Sequence, residues 1–164
     1  MSIELGISYR FQGKLEQAVE VFQKTLIQVE EQGVRNKGNL SRVEACFSAT
    51  LFDQNRLEEA LQHAQKGVYY LQWWPSHNHI TTAYIYLGQV LMGMGRLDEA
   101  AASADKSLER EKTPEGYVLM ARVFAAEGKV EAAQAMLNSA LRLDPSNTAA
   151  ATLRDELNSR SASR

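Results

Sequence analysis

The sequence is poor in the features that mark secreted, membrane-spanning or nucleic-acid-binding proteins. One cysteine in 164 residues cannot form an internal disulfide framework, which fits a reducing compartment. No apolar run approaches the roughly 20 residues that span a bilayer, and no basic start followed by an apolar stretch resembles a secretory signal. Eighteen basic residues against twenty acidic ones give a net charge of −2, so no global field attracts nucleic acid. We therefore expect a cytoplasmic chain without membrane contact and without a nucleic-acid partner.

Proline is also scarce, and its positions divide the chain. The three prolines are Pro75, Pro114 and Pro145. Thr113, Pro114 and Glu115 form the start of a helix: an N-cap, a first residue whose missing N–H costs nothing, and an acid that complements the helix dipole. The junction at residues 31–39 has no proline, and there we expect Asn39 or Ser41 to cap the next helix.

A recurring pattern is present instead. A residue able to adopt a left-handed conformation stands five residues before an alanine, four times along the chain. These pairs are Gly13 and Ala18, Asn55 and Ala60, Gly95 and Ala100, Gly128 and Ala133. The alanines are separated by 42, 40 and 33 residues. Self-similarity of this kind predicts a repeat array, in which each glycine or asparagine ends one helix and each alanine lets a second helix approach closely.

Apolar residues at helical spacing predict eight paired helices, and no stretch alternates as a strand would. We predict repeats at about residues 1–32, 40–73, 76–111 and 114–145, followed by an amphipathic capping helix at 146–158. These form one domain of residues 1–158, and the tail at 159–164 is expected to be disordered.

The pattern resembles the tetratricopeptide repeat (TPR). The third repeat carries Tyr84, Leu87, Gly88, Leu91, Gly95, Ala100, Ala104 and Ser107. The fourth carries Tyr117, Met120, Ala121, Phe124, Gly128, Ala133, Leu137, Ala140 and Pro145. The resemblance covers about residues 1–145 and implies an all-α protein, a TPR-like α–α superhelix (solenoid) of four helix pairs plus a C-terminal capping helix. It also implies a non-catalytic module that binds a protein or peptide segment.

Two of the spacings exceed the roughly 34 residues of an ordinary TPR by six to eight residues. Such long repeats resemble the sensor region of MalT-like regulators of the LuxR family, which implies a bacterial transcriptional regulator that responds to a partner or a small-molecule inducer. The chain contains neither a phosphate-binding loop nor a helix-turn-helix segment. Its first helix begins at Met1 inside the repeat register, so we expect a fragment of a longer protein. The alternatives are a free-standing adaptor and an oligomerisation scaffold.

TPR arrays bind partners in a concave groove, and the register assigns positions to it. Those positions are Ile7, Arg10, Phe11, Arg42, Ala49, Phe52, Thr82, Ile85, Gln89, Met92, Glu115, Val118 and Arg122. As partner-binding candidates we select Arg10, Phe11, Arg42, Phe52, Gln89, Met92 and Arg122. The competing interpretation is that the apolar members pack between helices and the arginines are solvated charges.

Chaperone-binding TPR domains hold a terminal carboxylate with lysine, asparagine and arginine. The corresponding positions here carry Ile3, Ile7, Cys46, Thr82 and Tyr86, which supply neither charge nor amide. This composition argues against a carboxylate clamp.

No residues form a convincing catalytic, metal or cofactor site. His77 and His79 have no nearby cysteine or acid and make a poor metal shell. Cys46 is expected to be a packing residue, and His63 is expected to face solvent. Trp73 and Trp74 are candidates for an interface with a second copy, because tryptophan is favoured at interface hot spots.

Overall fold

The helices of this computed structural model pack in consecutive pairs. The model describes residues 3–31, 37–73 and 77–162. The helices are α1 (Ile3–Phe11), α2 (Leu15–Glu31), α3 (Lys37–Asp53), α4 (Leu57–Tyr70), α5 (His77–Gly93), α6 (Leu97–Arg110), α7 (Pro114–Ala126), α8 (Val130–Leu143) and α9 (Thr148–Ala162), with a 3₁₀ turn at Leu71–Trp73. These described ranges contain no strand. The predicted all-α solenoid of four pairs and a closing helix is confirmed.

One layer of the solenoid is formed by the first helix of each pair. Within it α1 contacts α3, α3 contacts α5, and α5 contacts α7. The last helix, α9, contacts both α7 and α8 and so occupies the next place in this inner layer. Helices α2, α4, α6 and α8 form the outer layer.

The recurring glycine or asparagine forms the same turn in all four pairs. In the third pair the N–H of Arg96 donates to the carbonyl of Leu91 at 2.9 Å, and the N–H of Gly95 donates to Met92 at 3.0 Å. These two hydrogen bonds form the Schellman motif, which requires a residue in the left-handed conformation after the helix. The φ angles are +73° at Gly13, +59° at Asn55, +75° at Gly95 and +78° at Gly128. The recurring glycine or asparagine in the sequence is therefore explained by the left-handed backbone conformation that this turn requires.

We expect Gly95→Ala to lower the free energy of unfolding by about 1–2 kcal/mol, because an L-residue with a Cβ is strained in the left-handed conformation. A Cβ at Gly95 would meet no atom within 4 Å, so the cost is purely conformational. Gly95→Asn should cost less, since Asn55 already occupies the equivalent place. Urea unfolding of the three proteins measures the difference, and equal losses for alanine and asparagine would contradict this explanation.

The long spacings have a local cause. Helices α3 and α5 each contain 17 residues, whereas α7 contains 13, so each long inner helix has about one additional turn. Helix α2 also has 17 residues against 14 in α6, and the remaining difference lies in the junctions.

The core follows the array as a row of clusters. An N-terminal cluster contains Phe22, Phe47 and Leu51, and a C-terminal cluster contains Leu137 and Leu157. The recurrent Ala18, Ala60, Ala100 and Ala133 are all completely buried. Such a core is typical of solenoids, in which each repeat contacts only its neighbours.

Two predicted boundaries are wrong. Helix α3 already includes Lys37, and the Ser41 hydroxyl inside it donates to the carbonyl of Gly67 at 2.8 Å, so neither Ser41 nor Asn39 is a cap. Helix α9 continues to Ala162, so residues 159–162 are helical and not disordered. The N-cap at Thr113 is confirmed, because its Oγ1 accepts from the N–H of Gly116 at 3.2 Å. The division of the chain at Pro75 lies outside the described residues.

Candidate ligand-binding groove

Three adjoining pockets line the inner surface of α5, α7 and α9, and we call this surface the polar groove. Their volumes are about 340, 110 and 340 Å³ from the α1 side to the α9 side. The first and second pockets share Gln89 and Glu115, and the second and third share Arg122 and Ala149. Because neighbouring pockets share these residues, the three pockets form one continuous groove.

Helix α7 supplies the centre of the polar groove. Glu115, Val118 and Arg122 are spaced at i, i+3 and i+7 and therefore lie on one face. Val118 and Leu119 are 7% and 2% exposed, and they form the apolar floor of the middle pocket. The carboxylate and the guanidinium on either side of this floor are exposed. The middle pocket therefore has an apolar base between two opposite charges.

The three arginines assigned to the groove have different surroundings. The Arg10 guanidinium bonds Asp53 at 2.6 Å and the Tyr86 hydroxyl at 3.4 Å, and its side chain is 16% exposed. Burial alone would lower the pKa of Arg10, but the hydrogen bonds and charge interactions with Asp53 and Tyr86 together outweigh it, so the pKa is raised. Arg10 is therefore a paired, largely buried charge, and its interpretation as a solvated one is wrong.

Arg42 is also paired, because its guanidinium lies 2.8 Å from a carboxylate oxygen of Glu4. Arg122 differs from both: it is exposed, and its side chain makes no hydrogen bond or ion pair within residues 3–31, 37–73 and 77–162. The side chains of Glu115 and Gln89 likewise have no hydrogen-bonding partner in the described part of the chain. The side chains of Gln89 on α5 and of Glu115 and Arg122 on α7 are therefore available to a ligand.

The remaining predicted positions divide between packing and exposure. Phe52 packs against the N-terminal cluster and Met92 packs beside Leu91, as the competing interpretation holds. Phe11 is 79% exposed at the end of α1, within 5.8 Å of the Arg10 guanidinium. Ala49, Ile85 and Val118 are also assigned to the groove, and all three are buried. Ile85 and Val118 nevertheless line the first and second pockets, whereas Ala49 lines none of the three.

Two titratable residues lie away from the groove. Cys46 is buried, and burial raises the pKa of its thiol to about 11, so it is a packing residue as predicted and is not activated as a nucleophile. The prediction for His63 is wrong: its Nδ1 lies 2.5 Å from Oε2 of the buried Glu44, and its ring lies 4.4 Å from that of Phe47. A single-sequence pattern contains no signal for this long-range pairing.

Several other predictions cannot be placed. The Trp73 side chain, all of Trp74 and the side chains of His77 and His79 lie outside the described residues. Within the part that is described, no group of three or more His, Cys, Asp or Glu residues could hold a metal ion. The helices in the same ranges are too short or too polar to cross a membrane.

The sequence interpretation missed the contribution of α9. It treated the last helix only as a cap, whereas Asn147, Ala149 and Thr152 line the polar groove. The Asn147 Oδ1 accepts from the N–H of Ala150 at 3.0 Å, which caps α9, and the Asn147 side chain also hydrogen-bonds Asp144. Extending the repeat register by one further helix would have found these positions.

Solved structures with this fold are numerous. One chain of the APC/C hetero-tetramer Cut9–Hcn1 has a TM-score of 0.76 at 15% identity, covering 94% of this chain and 29% of that chain. The first TPR domain of human RPAP3 gives 0.66 at 16% identity, covering 77% and 95% respectively. YrrB, described as a TPR protein with an unusual peptide-binding site, gives 0.65 at 20% identity, covering 92% and 71%. At these identities the similarity concerns the fold.

Comparison with curated protein sequences finds no match. Family profiles described as tetratricopeptide repeat match residues 81–114, 114–147 and 4–28, together more than half of the chain. Because the profiles agree with the Schellman turns, the buried alanines and the paired helices, we conclude that this chain belongs to the tetratricopeptide-repeat family.

Proposed function

We propose that this chain is a non-catalytic module that binds a peptide segment of a partner protein in the polar groove. The observation that supports this proposal is the row of three pockets, whose exposed Glu115 and Arg122 and half-buried Gln89 lack partners in the described chain. Polar side chains that converge on a concave surface with an apolar floor are typical of a binding site.

Arg10 and Phe52 are expected to support the groove more than contact a ligand. Arg10 is held by Asp53, and Phe52 packs on the first core cluster. Of the sequence candidates, Gln89 and Arg122 are therefore the ones we expect to touch the bound segment, with Arg42, Met92 and Phe11 at its margin.

Random-peptide display on the whole chain tests this function. We expect the native protein to enrich a set of peptides and the Ala149→Trp variant to lose them. Ala149 lines both the second and the third pocket, so the indole would occupy space in both. Ala135→Trp on the outer face of α8 is the matched control, since Ala135 is also an exposed helical alanine but lines none of the three groove pockets. Enrichment that survives Ala149→Trp would overturn the proposal.

We propose in addition that the module is the sensor segment of a MalT-like regulator. The 17-residue helices α3 and α5 support this narrower role, which includes a cytoplasmic location, a small-molecule inducer as a further ligand and self-association through Trp73 and Trp74. A nucleotide-binding domain in the same reading frame would support it. A free-standing frame would favour the adaptor or oligomerisation scaffold.

A further inference from the structure

The middle pocket of the polar groove has the size and the polarity of a site for one particular kind of peptide residue. Its volume is about 110 Å³, and its floor is Val118 and Leu119. A cavity of about 150 Å³ admits benzene, so this smaller pocket suits an aliphatic side chain below the size of a phenyl ring.

Two opposite charges flank that pocket along α7. Glu115 and Arg122 are seven positions apart on the helix, which corresponds to about 10.5 Å, and Val118 lies between them. In an extended segment, the residues two positions before and after a central residue point to the same side and lie about 13 Å apart. The ends of the flexible Glu115 and Arg122 side chains can cover this small difference.

A neutral amide completes the surroundings of the pocket. Gln89 on α5 lines it, and its side chain has no hydrogen-bonding partner in the described ranges. Its carboxamide carries both a donor and an acceptor, and it can therefore bond the unpaired N–H and C=O groups of an extended main chain. Asn147 also lines the pocket, but its side chain already bonds Ala150 and Asp144. The charged residues of the neighbouring pockets do not cancel the two charges on α7. Arg10, in the first pocket, is already bound by Asp53, and Glu156, in the third pocket, lies farther along on α9.

Resting on the function proposed above, we propose that the polar groove selects an internal, extended segment with a small aliphatic residue, a basic residue two positions to one side and an acidic residue two positions to the other. The aliphatic side chain enters the pocket over Val118. The acidic residue pairs with Arg122 and the basic residue pairs with Glu115. Specificity then comes from the order of the charges, since net charge and composition are the same in both orders.

Two capped peptides of identical composition test the order of charges. Their sequences are Gly-Ser-Lys-Ser-Val-Ser-Glu-Ser-Gly and Gly-Ser-Glu-Ser-Val-Ser-Lys-Ser-Gly, acetylated and amidated so that no terminal charge contributes. We expect the native protein to prefer one of them by about tenfold in Kd, because reversal replaces two attractions with two repulsions. NMR titration measures weak Kd values directly. The preference should shrink in 1 M NaCl, where the Debye length is about 3 Å.

The double variant Glu115→Lys/Arg122→Glu exchanges the two charges on the protein. We expect it to keep the native fold and to prefer the other peptide by a similar factor. An unchanged preference in this variant, equal affinity of the native protein for both peptides, or no binding of either at millimolar concentration would overturn the charge-order proposal. The display experiment is independent: if display selects groove-dependent peptides without this pattern, the peptide-binding function stands and only the inference about specificity fails.

Discussion

Replacement of Phe22 by alanine is expected to lower the free energy of unfolding by about 3–5 kcal/mol. Phe22 is completely buried at the junction of α1, α2 and α3, and its ring stacks on that of Phe47 with 6.0 Å between centroids. A Cβ on Gly6 would lie 2.6 Å from Phe22 Cζ, so the ring rests directly on the backbone of α1. Helix α1 has only nine residues and depends on this contact.

The single cysteine provides a local measurement of this loss. Cys46 belongs to the same cluster as Phe22, is 3% exposed, and has a pKa raised by burial to about 11. A thiol reagent therefore reacts only when the cluster opens. A loss of 3–5 kcal/mol corresponds to an acceleration of labelling by roughly two to three and a half orders of magnitude, since each 1.4 kcal/mol is tenfold.

Phe11→Ala is the matched control. It removes the same phenyl ring from a residue that is 79% exposed, so we expect a change within about 0.5 kcal/mol in the free energy of unfolding and little change in the labelling rate.

A second variant tests the packing explanation. Gly6→Ala should destabilise the native protein but recover part of the loss in Phe22→Ala, where its methyl group finds space. Additive losses would argue against a direct contact between the two positions.

The fold could be predicted from the sequence because its determinants are local. Each left-handed residue and the alanine five positions later belong to one turn and one helix start, and four copies of them define the array. The errors lie where such signals end. Helix α3 begins at Lys37, two residues before Asn39 and four before Ser41, the two expected caps, and the end of α9 has no glycine to stop it before Ala162.

The candidate site could be predicted only in part. The register correctly placed Gln89 and Arg122 on inner helices, since inner and outer faces follow from helical period. It could not show which charges are already paired, because the partner of Arg10 is 43 residues away at Asp53. Nor could it show that Ala49 is covered by a neighbouring helix, since burial between inner helices depends on how the repeats stack.

The same limitation applies to a buried carboxylate that is paired with a histidine. Glu44 on α3 is 2% exposed, and it meets His63 on α4, 19 residues away, with 2.5 Å between Oε2 and Nδ1. From sequence alone the two residues occupy ordinary helical positions. In the fold they join the two helices of the second pair, beside the Phe47 ring.

We expect His63→Leu to lower the free energy of unfolding by about 3 kcal/mol, the lower end of the range for a broken buried pair, because His63 remains 21% exposed. The loss arises chiefly from Glu44, which stays buried without its hydrogen bond. Glu44→Met/His63→Leu removes both polar groups at similar volume and should therefore recover most of the loss.

A double-mutant cycle in urea separates these contributions, and the exposed pair of Arg96 and Glu99, 2.7 Å apart, is its reference. Exposed pairs couple by about 0.2–1 kcal/mol, whereas the pair of Glu44 and His63 should couple by about 1–3 kcal/mol. If the double variant is as unstable as His63→Leu alone, the loss comes from the packing of the imidazole against Phe47 and not from a stranded carboxylate. Whether the double variant recovers stability relative to His63→Leu thus decides whether α3 and α4 are joined by a polar contact or by an aromatic one.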